Sequence, residues 1–509
     1  MFGTRSLRSL RPLDREAQAR APLFEAIRSY CTLDKAPFHT PGHKQGRGIP
    51  QDLRDLLGEM VFKADLTELP EVDNLHDPDG VIQEAQILAA QAYGASRSWF
   101  LVNGSTCGVE TLIMAVCDPG DRILVPRNCH KSAVAGVILS GAVPVYMEPD
   151  YDRSLGLAHG VTPASVERAL QLYPDVKGVL VVNPTYYGVC SDIEAIAAIV
   201  HARNLPLLVD EAHGPHFAFH PRLPISALEA GADLVVQSTH KVISGMTQAS
   251  LLHLQGDRVD PNRVRNILQL LQSTSPNYVL LMSLDVARRQ MALQGTELLS
   301  ETLTLAEQVR VQLNQIPGIS CFGSERILSS PGFFDLDPTR VTVTVTGLGL
   351  YGFEAHDLVN DRFLVQPEMS TLHNVVFIFS IGNTDRDGER LVQSFVQLAQ
   401  EQQQQMGEMT EKLQRLAAIQ LPPLPPQRLS PRQAFFAPIH RIPFQEARGE
   451  VCAEIISPYP PGIPILVPGE EVTQEAIDYL LLVHEAGGFI NGPEDVRLQT
   501  LKVVKRQGE

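Results

Sequence analysis

Four short stretches carry side chains that could do chemistry: VNGSTCG, RNCHKS, LLVDEAHG and GADLVVQSTHK. Each follows an apolar run. Lys241 closes the last one, and a lysine amine can add to a carbonyl carbon. Asp210 stands directly behind four apolar residues, where a buried carboxylate needs a partner. Ser105 and Thr106 lie in a Gly-flanked turn that enters a helix, and hydroxyls with free backbone N–H groups at such a place hold phosphate. A plain helix cap would use the same residues. His130 in RNCHKS offers a flat ring. Taken singly, each has an ordinary structural explanation. Taken together at neighbouring strand ends, they match the needs of pyridoxal phosphate. A lysine forms a Schiff base with the aldehyde. An aspartate keeps the pyridine nitrogen protonated, which makes the ring an electron sink. A flat side chain stacks on the ring face.

Other chemistries fit less well. No GK[ST] tripeptide occurs, so there is no phosphate-binding P-loop, and VDEAH is not a helicase box without one. His213, His216 and His220 are not completed to a metal set by cysteine or a clear carboxylate group, and no metal is expected. GLGLYG, residues 347–352, has the spacing of a dinucleotide fingerprint, with Glu368 about twenty residues on. Against it, the preceding VTVTVT alternates, whereas a central parallel strand is continuously apolar.

The elements that must position these residues alternate between strand and helix. From about 94 to 255 the chain reads as apolar run, turn, helix, repeatedly: RSWFLVNGS, CGVETLIMAVC, DRILVPRNCH, SAVAGVILSG, VKGVLVVNPTYYG, LPLLVDEAH. SDIEAIAAIVHAR is an amphipathic helix capped by Ser191 or Asp192. This pattern predicts an α/β fold with a mainly parallel sheet, whose ligands bind beyond the carboxyl ends of the strands. Beyond residue 325 the style changes. TRVTVTVTG alternates strictly, which predicts a half-exposed strand in an antiparallel sheet, and NVVFIFSIG is its neighbour. ERLVQSFVQLAQEQQQQMGEMTEKLQRLA reads as one long helix, and LPPLPPQRLSP as an extended linker.

The chain has 509 residues and a net charge of −16. That charge disfavours wide contact with nucleic acid or anionic membrane, both of which need basic patches. Seven cysteines, without a CxxC pair, suit reduced thiols in the cytoplasm. No run approaches the ~18 apolar residues of a membrane span. The expected organisation is an N-terminal segment (1–60), a cofactor-binding large domain (61–320), a small α+β domain (321–420) and a C-terminal α+β domain (421–509).

Across most of its length the sequence resembles the Orn/Lys/Arg decarboxylases, pyridoxal phosphate enzymes of the aspartate-aminotransferase fold type. FHTPGHKQG, DNLHDPDGVIQEAQ, FLVNGSTCG, PRNCHKS, NPTYYGVCSD, VDEAHG, QSTHK, LLQSTSPNY, PYPPGIPILVPGE and GGFINGPED carry the resemblance. It implies that Lys241 is the Schiff-base lysine, that Asp210 pairs with the pyridinium nitrogen, and that His130 stacks on the ring. Ser105, Thr106 and Ser238 would hold the phosphate, with His240 nearby. His213 stands where some relatives have tryptophan, near the ring hydroxyl. Ser273 and Thr274 would reach the phosphate of a neighbouring subunit, which makes a homodimer, or a dimer of dimers, the expected active form. HTPGHK begins at residue 39, so the chain is similar to the short members that lack an N-terminal wing domain.

The implied reaction is decarboxylation of a basic amino acid. Arginine, giving agmatine for polyamine synthesis, is expected before lysine or ornithine. The cofactor residues alone would also serve transamination, and a catalytically silent regulatory homologue is the non-enzymatic alternative. A basic substrate needs an acidic receptor, for which Glu454, Glu68 and Asp73 are candidates.

Overall fold

The computed structural model of the chain describes residues 8–403, 421–459 and 462–506. In the first half, seven strands of four or five residues alternate with helices or turns. They are β1 (Arg97–Leu101), β2 (Arg122–Pro126), β3 (Val143–Met147), β4 (Val179–Val182), β5 (Leu207–Asp210), β6 (Leu234–Gln237) and β7 (Ser250–Leu254). The continuous apolar runs of β4, β5 and β6 are buried at every position, as strands covered on both faces must be. The helix Ile193–His201 is capped by Asp192, whose carboxylate accepts the N–H of Ala195.

The chain forms two compact units. Of the described residues, one holds 8–115 and Leu208–Leu299, and the other holds Val116–Leu207 and those from Ser300 onward. In the first unit the order is β1, β7, β6, β5. Here β5 and β6 are parallel, with Asp210 opposite Val236, whereas β7 runs antiparallel to both β6 and β1. The helix Gly104–Met114 lies so close to β6 that a Cβ on Gly108 would come within 2.3 Å of Val236 Cγ2. Glycine at this place lets the helix N-terminus approach the strand end.

In the second unit β2 runs parallel to both β3 and β4. A separate antiparallel sheet contains β8 (Arg340–Thr344) and β9 (Asn374–Ile378). The alternation of TRVTVTVTG correctly predicts antiparallel pairing, but the expected half-exposure is wrong, because all five residues of β8 are buried. Val341 and Val343 join the core formed with Phe377 and Phe395. The polar residues are buried among partners: Thr344 Oγ1 donates to Asn374 Oδ1 at 2.7 Å, and Arg340 lies beside Asp337. The glycines of GLGLYG serve packing in this sheet. A Cβ on Gly347 would meet the Gly318 carbonyl oxygen at 2.6 Å, and one on Gly352 would meet the Thr371 carbonyl oxygen at 2.2 Å.

The predicted long helix is present as Asp385–Gln403, and its continuation lies outside the described residues. Residues 421–426 form neither helix nor strand, as the proline pattern predicts. Beyond them a further core gathers Phe444, Ile456, Leu480 and Val503 into a C-terminal domain.

Candidate active site

The site is built at the ends of β5 and β6 in the first unit. Ser238 follows β6 and precedes the short helix Thr239–Val242, whose turn presents Lys241. Lys241 Nζ lies 2.8 Å from Nε2 of His213. His213 is buried, three residues after Asp210 at the end of β5. Asp210, the last residue of β5, is also buried, and its Oδ1 accepts the N–H of Ala212 at 3.1 Å. Burial pushes the Asp210 carboxyl up from its ordinary range, while the positive charge of Lys241 and the Ala212 N–H pull it back. An aspartate in this setting favours a cationic partner, since pairing relieves the cost of the buried charge.

The second group of residues is a hydroxyl cluster. Ser238 Oγ donates to Ser105 Oγ at 2.9 Å, across 133 residues of sequence. Ser105 and Thr106 belong to the first turn of Gly104–Met114, where backbone N–H groups lack partners within the helix. Gly104 has a φ of +72°, a left-handed conformation that glycine adopts without steric penalty. The Gln272 side chain accepts the N–H of Val102, and Gln248 donates to the Val102 carbonyl, so the approach to this turn is tied down from both sides. Hydroxyls, unused N–H groups and a helix N-terminus make a seat for a phosphate. His240 donates from Nδ1 to the Ala249 carbonyl at 3.0 Å, which holds the Lys241 turn against the start of β7.

His130 lies in the other unit. It caps the helix Lys131–Ser140, accepting the Ser132 N–H at Nδ1, and is half-buried. Three residues earlier, Arg127 makes a bidentate pair with Glu470, at 2.7 and 2.9 Å, and donates to the Ile465 carbonyl. The C-terminal domain thereby holds the loop that carries His130. Sequence reasoning missed this pair, since 343 residues separate its members.

The candidate acidic receptors differ sharply. Asp73 accepts the N–H groups of Asn74, Asp79, Gly80 and Ile82, capping the helix Val81–Tyr93. Glu454 accepts the N–H groups of Glu494 and Lys502, one on each oxygen. Both act as braces for backbone. Glu68 Oε1 is buried and has no hydrogen-bond partner among the described residues. Ser273 and Thr274 are exposed, and the Ser273 carbonyl takes a hydrogen bond from His76 Nε2.

A mainly parallel sheet with a lysine, an aspartate and a hydroxyl cluster at adjoining strand ends is the architecture of the pyridoxal phosphate enzymes of fold type I. The ureidoglycine–glyoxylate aminotransferase of Bacillus subtilis shares it over 66% of this chain and 88% of its own, with a TM-score of 0.50 and 14% identity. The lysine decarboxylase LdcF of Francisella novicida shares the fold more fully, with a TM-score of 0.82 and 23% identity over 96% of this chain and 82% of its own. The chain belongs to the Orn/Lys/Arg decarboxylase family: the family's major-domain model matches residues 21–387 and its C-terminal-domain model residues 409–495. A protein named arginine decarboxylase from Bacillus subtilis (strain 168) is 42% identical over 491 residues, covering 96% of this chain and 99% of that protein.

Proposed function

We propose that the chain decarboxylates a basic amino acid with pyridoxal phosphate held at the ends of β5 and β6, and that arginine is the substrate. The observation that carries the cofactor assignment is the convergence of Lys241, Asp210 and the Ser105–Ser238 pair on neighbouring strand ends. The donor set fits the group. The helix N-terminus and three hydroxyls, Ser105, Thr106 and Ser238, suit the phosphate. Asp210 suits a protonated ring nitrogen, Lys241 the aldehyde and His213 the ring hydroxyl, while the ring-face role of His130 rests on the family resemblance alone.

Bound there, pyridoxal phosphate supplies an electron sink that accepts the bonding pair left when the α-carboxylate departs as CO2. Asp210 would hold a proton on the ring nitrogen, and its burial would strengthen that ion pair. Lys241 would hold the cofactor through its aldehyde. The Lys241 amine lies beside His213 Nε2, so a proton can be held and passed at Nζ.

Arginine is preferred because the relative matching nearly the whole chain at 42% identity carries that substrate in its name. Among the three acidic candidates Glu68 is the best receptor, because its Oε1 is buried without a partner among the described residues while Asp73 and Glu454 serve backbone groups. A carboxylate there can take a guanidinium through two parallel hydrogen bonds.

The active form we propose is a homodimer or a dimer of dimers, in which the exposed Ser273 and Thr274 reach a neighbour's phosphate site. The exposed side chains of Phe38, Leu56 and Met60 give a second copy apolar surface to cover. Seven cysteines, none of them in a disulfide, support a reducing compartment, the cytoplasm. No helix among the described residues is long and apolar enough to cross a membrane.

One assay tests the reaction: purified protein with pyridoxal phosphate is given arginine, lysine and ornithine in turn, and amine and CO2 are measured. Agmatine with one equivalent of CO2 is expected. Absence of CO2 from all three refutes the reading.

A further inference from the structure

Next to the proposed cofactor residues lies a buried polar chain that the reaction does not use. Glu211 follows Asp210, and Gln237 precedes Ser238, so each is one residue from the site yet faces the other side of the sheet. Gln237 Nε2 lies 2.6 Å from Glu211 Oε2, His253 Nε2 lies 3.2 Å from Gln237 Oε1, and Ser98 Oγ lies 2.7 Å from His253 Nδ1. The chain thus runs from the end of β5 across β6 and β7 to β1. Glu211, Gln237 and His253 are fully buried, and Ser98 is 2% exposed.

No cation among the described residues touches Glu211. Its carboxyl oxygens meet two neutral donors, the Gln237 amide and the Ala227 N–H at 2.7 Å. Arg8, from the N-terminal segment, acts on it only at a distance, being engaged by Glu229 and the Phe217 carbonyl. Tyr93, from the helix Val81–Tyr93, feels the charge of Glu211, and its buried hydroxyl has no hydrogen-bond partner among the described residues. Arg288 lies near Tyr93 and pairs with Asp285. Burial holds His253 down to about 3, so no imidazolium balances the chain.

Two proton orders fit the same heavy-atom positions. If Glu211 is ionised, it accepts the Gln237 amide, whose oxygen accepts the N–H at His253 Nε2, while Nδ1 accepts the Ser98 hydroxyl. If Glu211 is neutral, its O–H donates to the Gln237 oxygen after a half-turn of the amide. The amide N–H then donates to Nε2, and Nδ1–H donates to Ser98. Both orders keep His253 neutral, and amide orientation follows the proton. A buried carboxylate with only neutral contacts is costly, which favours the second order.

We propose that Glu211 is a positioning residue carried as a neutral acid at neutral pH, closing a proton-ordered chain that keeps Asp210 and the Lys241 turn in fixed register. Burial pushes the Glu211 carboxyl up to about 8, so alkaline solution would ionise it and place a second negative charge beside Asp210. The inference rests on the assignment of Asp210 and Lys241 above.

Isotope-edited infrared spectroscopy of the holoenzyme tests it directly. A neutral-acid carbonyl band should be present at pH 7 in the wild type, fade as pH rises past about 8, and be absent from Glu211→Gln. That variant mimics the neutral acid, so its kcat at pH 7 should stay within about twofold of wild type, and its pH–rate profile should lose the alkaline break assigned to Glu211. Gln237→Leu cuts the chain and should weaken pyridoxal phosphate binding. No Glu211-dependent acid band, superimposable pH profiles, or unchanged cofactor affinity in a folded Gln237→Leu would each overturn the proposal. A wild-type protein without a Lys241-dependent visible band sinks the cofactor assignment instead, whereas the infrared band reports on Glu211 alone.

Discussion

Gly108→Ala should break the phosphate seat without touching a residue of the site. The added Cβ would stand 2.3 Å from Val236 Cγ2 and 2.9 Å from Leu101 Cδ1. Carbon atoms pack at ~3.5 Å, so the helix Gly104–Met114 and β6 must separate by about 1.2 Å. Both contacts lie on strands of the buried sheet, which cannot yield as an exposed side chain would. Overpacking of this kind costs about 1–3 kcal/mol. The functional loss should be larger. The Ser238–Ser105 contact of 2.9 Å would open beyond hydrogen-bonding range, and the hydroxyls would no longer converge. Losing one or two hydrogen bonds to a charged phosphate removes about 1.5–3 kcal/mol each, which weakens cofactor binding about ten- to a hundredfold or more. The assay is titration of the apo-protein with pyridoxal phosphate, followed by the visible band of the lysine-bound cofactor, with circular dichroism to verify the fold. Val236→Ala removes the nearest methyl and should restore affinity in part. Gly382→Ala, where the nearest atom is the flexible Ser380 Oγ at 3.8 Å, should behave as wild type. A folded Gly108→Ala that binds the cofactor as wild type does would refute the role given to this helix.

Other outcomes follow from the same geometry. Lys241→Ala should lose the visible band and turnover together, and full activity in that variant would remove Lys241 from the mechanism. Glu68→Gln should raise KM for arginine about tenfold or more while changing kcat little, as expected for a lost charged hydrogen bond; unchanged KM would place the receptor elsewhere. Glu470→Gln leaves the buried Arg127 without its carboxylate, a loss of about 3–5 kcal/mol, so kcat and resistance to denaturant should both fall, and an unchanged denaturation midpoint would contradict it. Mixed protomers of Lys241→Ala and of a Ser273→Ala, Thr274→Ala double variant should regain part of the activity if sites are shared between subunits, and no regain would argue that each subunit works alone. His253 is neutral in the fold, held down to about 3, whereas the unfolded chain takes up its proton at an ordinary histidine pKa of ~6.5. The unfolded state therefore binds more protons between these values, and stability should fall as pH is lowered through that window. Denaturant midpoints at pH 7 and pH 5 check this, and His253→Leu should flatten the difference.

Much of the fold was legible because its signals are local. Continuous apolar runs marked β4, β5 and β6, and the alternation before Gly347 marked an antiparallel strand. The exposure of that strand was misread because alternation shows chemical type only, and the polar face of β8 finds buried partners such as Asn374. The glycines of the GxGxxG spacing, argued against as a dinucleotide fingerprint, have a packing role. Glycine permits close approach to any backbone, and here the approaching groups are Gly318 and Thr371.

By itself the sequence determined which residues stand at strand ends, since strand, turn and capping preferences act within a few positions. Lys241, Asp210, Ser105 and His130 were named on that basis. Only the tertiary structure decided which of them meet, because hydrogen bonds hold over about 3 Å whatever the separation along the chain. It set Lys241 against His213 and joined Ser238 to Ser105. It turned Asp73 and Glu454 toward backbone N–H groups and left Glu68 Oε1 without a partner among the described residues. It also closed Glu211 off from water, which an Asp-Glu pair in a sequence does not disclose. Burial and partner geometry, more than residue type, give each of these carboxylates its task.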